Sequence, residues 1–332
     1  MSRTGATIFG CEGLTLGADE KAFFHEAQPF GFILFARNVS NPDQIRRLTS
    51  DLRASVGRNA PILIDQEGGR VQRMRAPQWR EWLPPLDEAT LAGPNAARSF
   101  YLRYRLIAHE LLTVGIDANC APSGDIATSD THVFLRNRCY GEDVETVAQL
   151  ARAAANGLMD GGVLPIMKHV PGHGRGSLDS HKELPRVITS KNVLDAADFA
   201  AFRAINDLPM GMSAHIVFED IDPTGPSTTS RIMTDLIRND IGFDGLLMTD
   251  DLSMEALSGD VIMRSRESLA AGMDVVLHCN GNLAEMQLIS AEVGALTTEA
   301  SQRAERALES RKPPTEIDVD VLWAEHQSLV KG

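Results

Sequence analysis

The segment Lys168-His169-Val170-Pro171-Gly172-His173-Gly174-Arg175-Gly176-Ser177-Leu178-Asp179-Ser180-His181 carries three histidines, three glycines and an aspartate. That density exceeds what a plain connection needs. In an extended stretch, residues two apart project from the same side, so the Asp179 carboxylate can orient the His181 imidazole and raise its basicity, making a proton carrier. The glycines permit backbone conformations closed to other residues and suit a moving loop, while Pro171 fixes one point near its start. Other readings stay open. His169 and His173 have a metal-ligand look, although their spacing runs across Pro171 and Gly172 and not along a helix. Gly172, Gly174 and Gly176 can cradle phosphate through backbone N–H groups. A purely structural loop is the third alternative.

A second constellation, Gly245-Leu246-Leu247-Met248-Thr249-Asp250-Asp251-Leu252-Ser253-Met254, reads as an apolar strand ending in two carboxylates. Alternation sends them to opposite sides, so one can enter a site while the other caps the helix that follows. A lone carboxylate near a His-Asp pair fits glycoside cleavage, which needs one group to attack the anomeric carbon and another to protonate the leaving oxygen. In the third, Ile64-Asp65-Gln66-Glu67-Gly68-Gly69-Arg70-Val71-Gln72-Arg73, an acidic strand exit is followed by a glycine turn and arginines. Carboxylates that accept from sugar hydroxyls, with arginine donors opposite, grip carbohydrates, and Asp65 is placed for this. A solvated turn with a structural ion pair is the alternative. The fourth, Phe134-Leu135-Arg136-Asn137-Arg138-Cys139-Tyr140, offers Arg138 from the side, or only a surface arginine.

The elements that must position these residues follow one rule: a short apolar run, then a longer segment of helical period, repeated along the chain. Candidate strands are Ala6 to Cys11, Gly31 to Arg37, Pro61 to Asp65, Ile116 to Ala121, Val163 to Lys168, Met210 to His215, Leu246 to Asp250 and Val275 to Cys279. Helices are expected at Gln44 to Val56, Asn95 to Val114, Glu142 to Met159, Asn192 to Asn206, Ser230 to Asn239, Met254 to Ala271 and Asn282 to Arg311. This is the α/β pattern of a (β/α)8 TIM barrel, with its site at the C-terminal ends of the strands. Those ends are polar throughout: Arg37, Asp65, Lys168 with His169, His215, Asp250 and His278. The rival, a doubly wound sheet, lacks its glycine fingerprint. One domain over 1–332 is expected, with 315–332 a tail whose Ile317, Val319 and Val321 pack on the barrel exterior.

Composition narrows the partners. Over 332 residues the formal charge is -13, which opposes a nucleic-acid or anionic-membrane surface. The N-terminus shows no export signal and no run approaches membrane-spanning length, so a cytoplasmic protein is expected. Cys11, Cys120, Cys139 and Cys279 are widely spaced, as small buried hydrophobes would be.

Taken jointly, Asp65-Gln66-Glu67-Gly68-Gly69-Arg70-Val71-Gln72-Arg73, Lys168-His169-x-Pro171-Gly172-His173-Gly174, Asp179-Ser180-His181 and Thr249-Asp250-Asp251-Leu252-Ser253-Met254 resemble the family 3 glycoside hydrolases. The likeness is to the compact bacterial β-N-acetylhexosaminidases of cell-wall recycling, and it covers nearly the whole chain. It departs at Arg136-Asn137-Arg138-Cys139-Tyr140, where a Gly-Asp-Arg-Ser-Phe-like stretch is common, and at Arg175-Gly176. The resemblance implies a retaining mechanism with Asp250 as nucleophile and His181, partnered by Asp179, as acid/base. It implies sugar contacts from Asp65, Arg73, Arg138, Lys168 and His169, no metal or organic cofactor, and action as a monomer. The implied substrate is N-acetylglucosamine linked to 1,6-anhydro-N-acetylmuramic acid, with or without a stem peptide. A phosphorylase, another family 3 β-glycosidase, a metal-dependent hydrolase and a silent sugar-binding protein are the alternatives.

Overall fold

The structure, a computed structural model, describes residues 4–176, 178 and 183–331. Eight strands, β1 (Gly5–Phe9), β2 (Pro29–Leu34), β3 (Ile62–Ile64), β4 (Ala118–Asn119), β5 (Leu164–Val170), β6 (Met210–Ser213), β7 (Leu246–Asp251) and β8 (Val275–His278), close into one barrel. Every neighbouring pair is parallel, and β8 returns to β1. The fold is the expected (β/α)8 barrel, and each of the eight sequence runs overlaps one of its strands.

Alternation along the strands builds two apolar layers. One buried cluster draws on every strand, with Ile8, Ile33, Leu63, Ala118, Ile166, Met212, Met248 and Leu277 among its members. Only the lumen can bring all eight strands together, so these side chains face inward. The alternate positions, among them Phe9, Ile62, Ile64, Met167, Leu247 and Val276, join a second cluster with the surrounding helices.

Helix boundaries follow local chemistry. The helix Pro42–Val56 starts where Asn41 accepts from the Gln44 amide and Pro42 takes the first turn, and it stops at Gly57 with φ of 66°. Three expected helices are shorter or divided. The 192–206 segment breaks at Ala197 into Lys191–Ala196 and Asp198–Arg203. The 254–271 segment becomes helical only at Val261, once Asp260 caps the Met263 amide. The 282–311 segment splits at Gly294, with φ of 64°, into Leu283–Val293 and Thr298–Glu309. Apolar periodicity runs through such breaks, and only the caps reveal them.

The tail forms a helix, Val319–Val330, against the helices Pro85–Ala92 and Ala96–Thr113. Its inward stripe is Val319, Leu322, Trp323, His326 and Val330, a helical spacing that leaves Val321 57% exposed and outside the packing expected of it. Trp323 meets Trp82 edge-on with ring centroids 5.6 Å apart. His326 Nε2 lies 3.0 Å from Glu88 Oε1, and the other Glu88 oxygen accepts from Arg103 at 2.5 Å. Glu88 and Arg103 are both fully buried. Arg103 also donates to the backbone carbonyls of Leu83 and Glu67, so this pair reaches the strand exit where Asp65 lies. Glu88→Ala would strand a guanidinium in the core and is expected to cost about 3–5 kcal/mol. The urea midpoint measures it, and a loss below about 1 kcal/mol would mean that water or another anion reaches Arg103.

Candidate active site

The lumen's own phase selects which charges meet at the top of the barrel. Asp65 lies two residues beyond Leu63, Lys168 two beyond Ile166 and Asp250 two beyond Met248, so each continues an inward row. All three line a cavity of about 430 Å³. His278 follows inward Leu277 by one residue and takes the opposite phase, where its Nε2 meets Glu285 Oε2 at 2.7 Å. Arg37 ties the loop carbonyls of Cys11 and Cys279, and His215 commits Nδ1 to Thr228 Oγ1 and Nε2 to the Asp251 carbonyl. These three polar strand ends hold the framework and do not line the cavity.

A hairpin brings Arg73 beside Asp65. Gly68 and Gly69, with φ of 112° and 58°, turn the chain after Gln66–Gly68 into the return strand Val71–Gln72. At Gly68 a Cβ would fall 1.8 Å from Arg103 Nη2, so the close approach as well as the turn requires glycine. Register pairs Gln66 with Gln72 and therefore sets Asp65 against Arg73, whose Nη2 donates to Oδ2 at 2.9 Å. Lys168 Nζ donates to the other Asp65 oxygen at 2.9 Å and to Glu67 Oε1 at 2.5 Å. Arg138 completes the row, giving Nε and Nη2 to the two Glu67 oxygens at 2.9 and 2.8 Å.

This dry cluster stays charged. Burial works against the Asp65 carboxylate, but Lys168 and Arg73 outweigh it and hold the group well below the usual carboxylate range. Glu67 is likewise buried, yet Arg138 and Lys168 bring it down to about 2. Burial opposes the charge on Lys168 as well, and Asp65 with Glu67 keeps its pKa above the ordinary lysine value.

His169 is oriented from behind. A register shift between Met167 and Val170 in the β5–β6 ladder takes it out of simple alternation, so it too lines the cavity. Its Nδ1 lies 2.7 Å from Asp125 Oδ2, and Arg138 Nη2 approaches Nε2 at 3.3 Å. Asp125 is fully buried. His169 and His173 hold its carboxyl low against that burial. An ionised acceptor on one side and a guanidinium donor on the other fix the proton on Nδ1. Asp125 also accepts from the His173 amide at 2.7 Å. A Cβ at Gly174 would lie 1.9 Å from the Ile126 carbonyl oxygen, and Gly172 has φ of 141°. In the Lys168–Gly176 half of the loop, these glycines therefore serve close packing. Asp179 and His181 lie outside the described residues.

The paired carboxylates of β7 divide as alternation requires. Asp251 accepts from the Ser253 and Cys279 amides at 3.0 and 3.1 Å, closing a local turn onto β8 instead of capping a helix. Asp250 accepts only the Asp251 amide, at 2.8 Å, and has no side-chain partner among the described residues. Burial disfavours its charge, but His215, His169, that amide and Lys168 hold its carboxyl below the ordinary value.

The expected site residues Asp65, Arg73, Arg138, Lys168, His169 and Asp250 thus line one cavity, walled on its apolar side by Phe35, Phe134 and Met254. Two further members, Glu67 and Asp125, were not singled out from sequence. Glu67 had a signal, since it stands two residues from Asp65 in an extended stretch and shares its side. Asp125 had none, being one aspartate in a loop of no regular period. The four cysteines are buried and unpaired, as expected.

Known proteins resemble this chain along most of its length. The family profile described as "Glycosyl hydrolase family 3 N terminal domain" matches residues 15–309. A β-hexosaminidase from Alkalilimnicola ehrlichii is 36% identical over 284 residues, 83% of this chain and 81% of that one. One from Methylococcus capsulatus is 35% identical over 325 residues, 96% of this chain and 94% of its own. Among solved structures, NagZ from Neisseria gonorrhoeae in complex with N-trifluoroacetyl-D-glucosamine superposes with a TM-score of 0.88 at 29% identity, over 99% of both chains. A match that begins just before the first barrel helix and ends with the helix Thr298–Glu309 takes in every strand after β1 and every residue of the cavity, and this chain belongs to glycoside hydrolase family 3.

Proposed function

We propose that this chain is a retaining exo-β-N-acetylglucosaminidase that releases terminal N-acetylglucosamine from its linkage to 1,6-anhydro-N-acetylmuramic acid, with or without a stem peptide, in the cytoplasm. The observation that carries the reading is Asp250: an ionised carboxylate at the cavity wall whose charge is stabilised by its surroundings while, among the described residues, its oxygens are not tied to any cation. A nucleophile needs this combination, because an oxygen locked in an ion pair must break that pair to attack. The names of the relatives, β-hexosaminidases, and the N-acylated glucosamine held by the Neisseria NagZ support the sugar class.

In the proposed reaction Asp250 attacks the anomeric carbon, and the bond to the leaving oxygen breaks as His181 gives that oxygen its proton. The product is a glycosyl-enzyme. His181 then takes a proton from water, whose oxygen displaces Asp250 and releases the sugar with its original configuration. Asp179 would stabilise the imidazolium in between. Asp65, Arg73, Lys168, His169 and Arg138 would hold the sugar; they are mutually braced, so they lose little freedom on binding.

Two experiments test this. Asp250→Ala should lower turnover of every β-N-acetylglucosaminide by on the order of 10³-fold or more. His181→Ala should lose about 10²–10⁴-fold on substrates with poor leaving groups and far less on the para-nitrophenyl glycoside, where nitrophenolate departs unaided. Equal losses on both would remove His181 as the acid. Running the wild type with and without phosphate separates hydrolysis from phosphorolysis, and a rate that depends on phosphate would replace water by phosphate in the second step.

The charge cluster gives a pH prediction. Glu67 falls from its ordinary 4.5 to about 2 on folding, so its contribution to stability is complete above pH 4.5 and disappears as pH drops toward 2. Glu67→Gln is expected to lower Tm at pH 7 and to flatten the fall in Tm between those limits. Parallel Tm curves for variant and wild type would show that Glu67 does not govern the acid limb.

A further inference from the structure

His173 is 5% exposed on the cavity wall, yet neither of its ring nitrogens has a hydrogen-bond partner among the described residues. A histidine kept only for the fold commits at least one nitrogen to a neighbour, because an unmatched polar atom away from water destabilises the folded state. His215 and His278 do so. Along the same wall Asp65, Arg73, Lys168, Arg138, His169, Asp250 and Asp251 each hold at least one hydrogen bond. Among the described cavity-lining side chains with nitrogen or oxygen, His173 alone has a partner at none of its atoms.

The ring is nevertheless held in place. Its own amide is anchored on Asp125 Oδ1 at 2.7 Å. A Cβ at Gly176 would touch the ring at 2.9 Å, so that glycine is the floor on which it rests. The His169 ring stands edge-on with centroids 5.6 Å apart. Burial and then the proximity of His169 push the imidazole down to about 4, which leaves it neutral near pH 7, with one N–H to give and one lone pair to receive.

We propose that His173 is a further substrate-contacting residue, whose ring makes a hydrogen bond through one nitrogen to an uncharged polar group of the bound sugar, a hydroxyl or the acetamido group. Asp65, Arg73, Lys168, Glu67 and Arg138 already engage one another, and a neutral group that can give or accept is complementary to a neutral group that can do the same. A preset, unsatisfied donor and acceptor also lose nothing within the protein when ligand arrives. The proposal rests on the reading that this cavity takes an N-acetylated sugar.

Wild-type turnover of para-nitrophenyl β-N-acetylglucosaminide tests that underlying reading by itself. His173→Phe keeps a ring of similar size and removes both nitrogens. It is expected to lower kcat/KM at least about 10-fold and to weaken inhibition by N-acetylglucosamine by a similar factor, with Tm unchanged or raised because no internal bond is lost. His173→Gln, which can both give and accept, is expected to recover part of the loss. In wild-type enzyme labelled with ¹⁵N-histidine, saturating N-acetylglucosamine should move the ring resonances of His173, assigned by their disappearance in His173→Phe. A kcat/KM within twofold of wild type in both variants overturns the proposal. So does a Tm several degrees lower together with ring resonances that do not move, an outcome that would assign the ring to the fold. If the wild type does not cleave the glycoside, the functional reading fails, and the labelled titration still decides the contact: a shift supports it and none overturns it.

Discussion

An ammonium or a guanidinium remains charged inside a protein only where anions are set against it, and that constraint organises the mouth of this barrel. Lys168 is 1% exposed and Arg138 9% exposed. Each would be intolerable alone. The row Arg73, Asp65, Lys168, Glu67 and Arg138 alternates in sign, and every interior member is shared by two neighbours. Arg138 extends it to His169, and His169 to Asp125. No side chain in the row can shift without leaving a buried charge unmatched, which is why it makes a rigid surface for a polar ligand.

The barrel supplies this row by simple means. Asp65 and Lys168 come from the inward phase of strands β3 and β5, Glu67 and Arg73 from a hairpin whose register folds Arg73 back onto Asp65, and Arg138 from the long excursion after β4. The hairpin is itself held from outside: Arg103 grips the Glu67 carbonyl, Glu88 grips Arg103, and the tail helix reaches Glu88 through His326. A continuous line of buried polar contacts therefore runs from the C-terminal helix to the site.

Much of this was legible in the sequence, and the failures share one cause. Short apolar runs mark all eight strands because a barrel strand is buried on both faces. Polar residues at strand ends mark the mouth, but phase decides which of them enter: Asp65, Lys168 and Asp250 continue inward rows, whereas His278 is displaced by a single residue and joins the helix layer. Arg37 and His215 bond to loop carbonyls and a hydroxyl that no local pattern foretells. Asp125 escapes for the same reason, since its importance lies in two partners more than forty residues away. The loop glycines show the converse. Their freedom suggested motion, yet Gly172 and Gly174 admit a close approach to Asp198 and Ile126 that only the folded chain reveals.

What distinguishes the groups proposed to meet the substrate is how little the protein asks of them. Asp65, Glu67 and Asp125 have their oxygens engaged by cations, imidazole or amides; each holds its charge through direct contact and serves to orient something else. Asp250 is different in kind, because its charge is favoured by imidazoles and an ammonium acting from beyond hydrogen-bond distance and by one amide, while no cation among the described residues touches its side chain. Charge without contact is the state in which a carboxylate can attack, since no ion pair has to break first. His173 is the neutral counterpart, fixed by its backbone and unmatched at its ring. In a site where nearly every other polar side chain is held by another side chain, the two that have no such partner among the described residues are those with capacity left for a ligand.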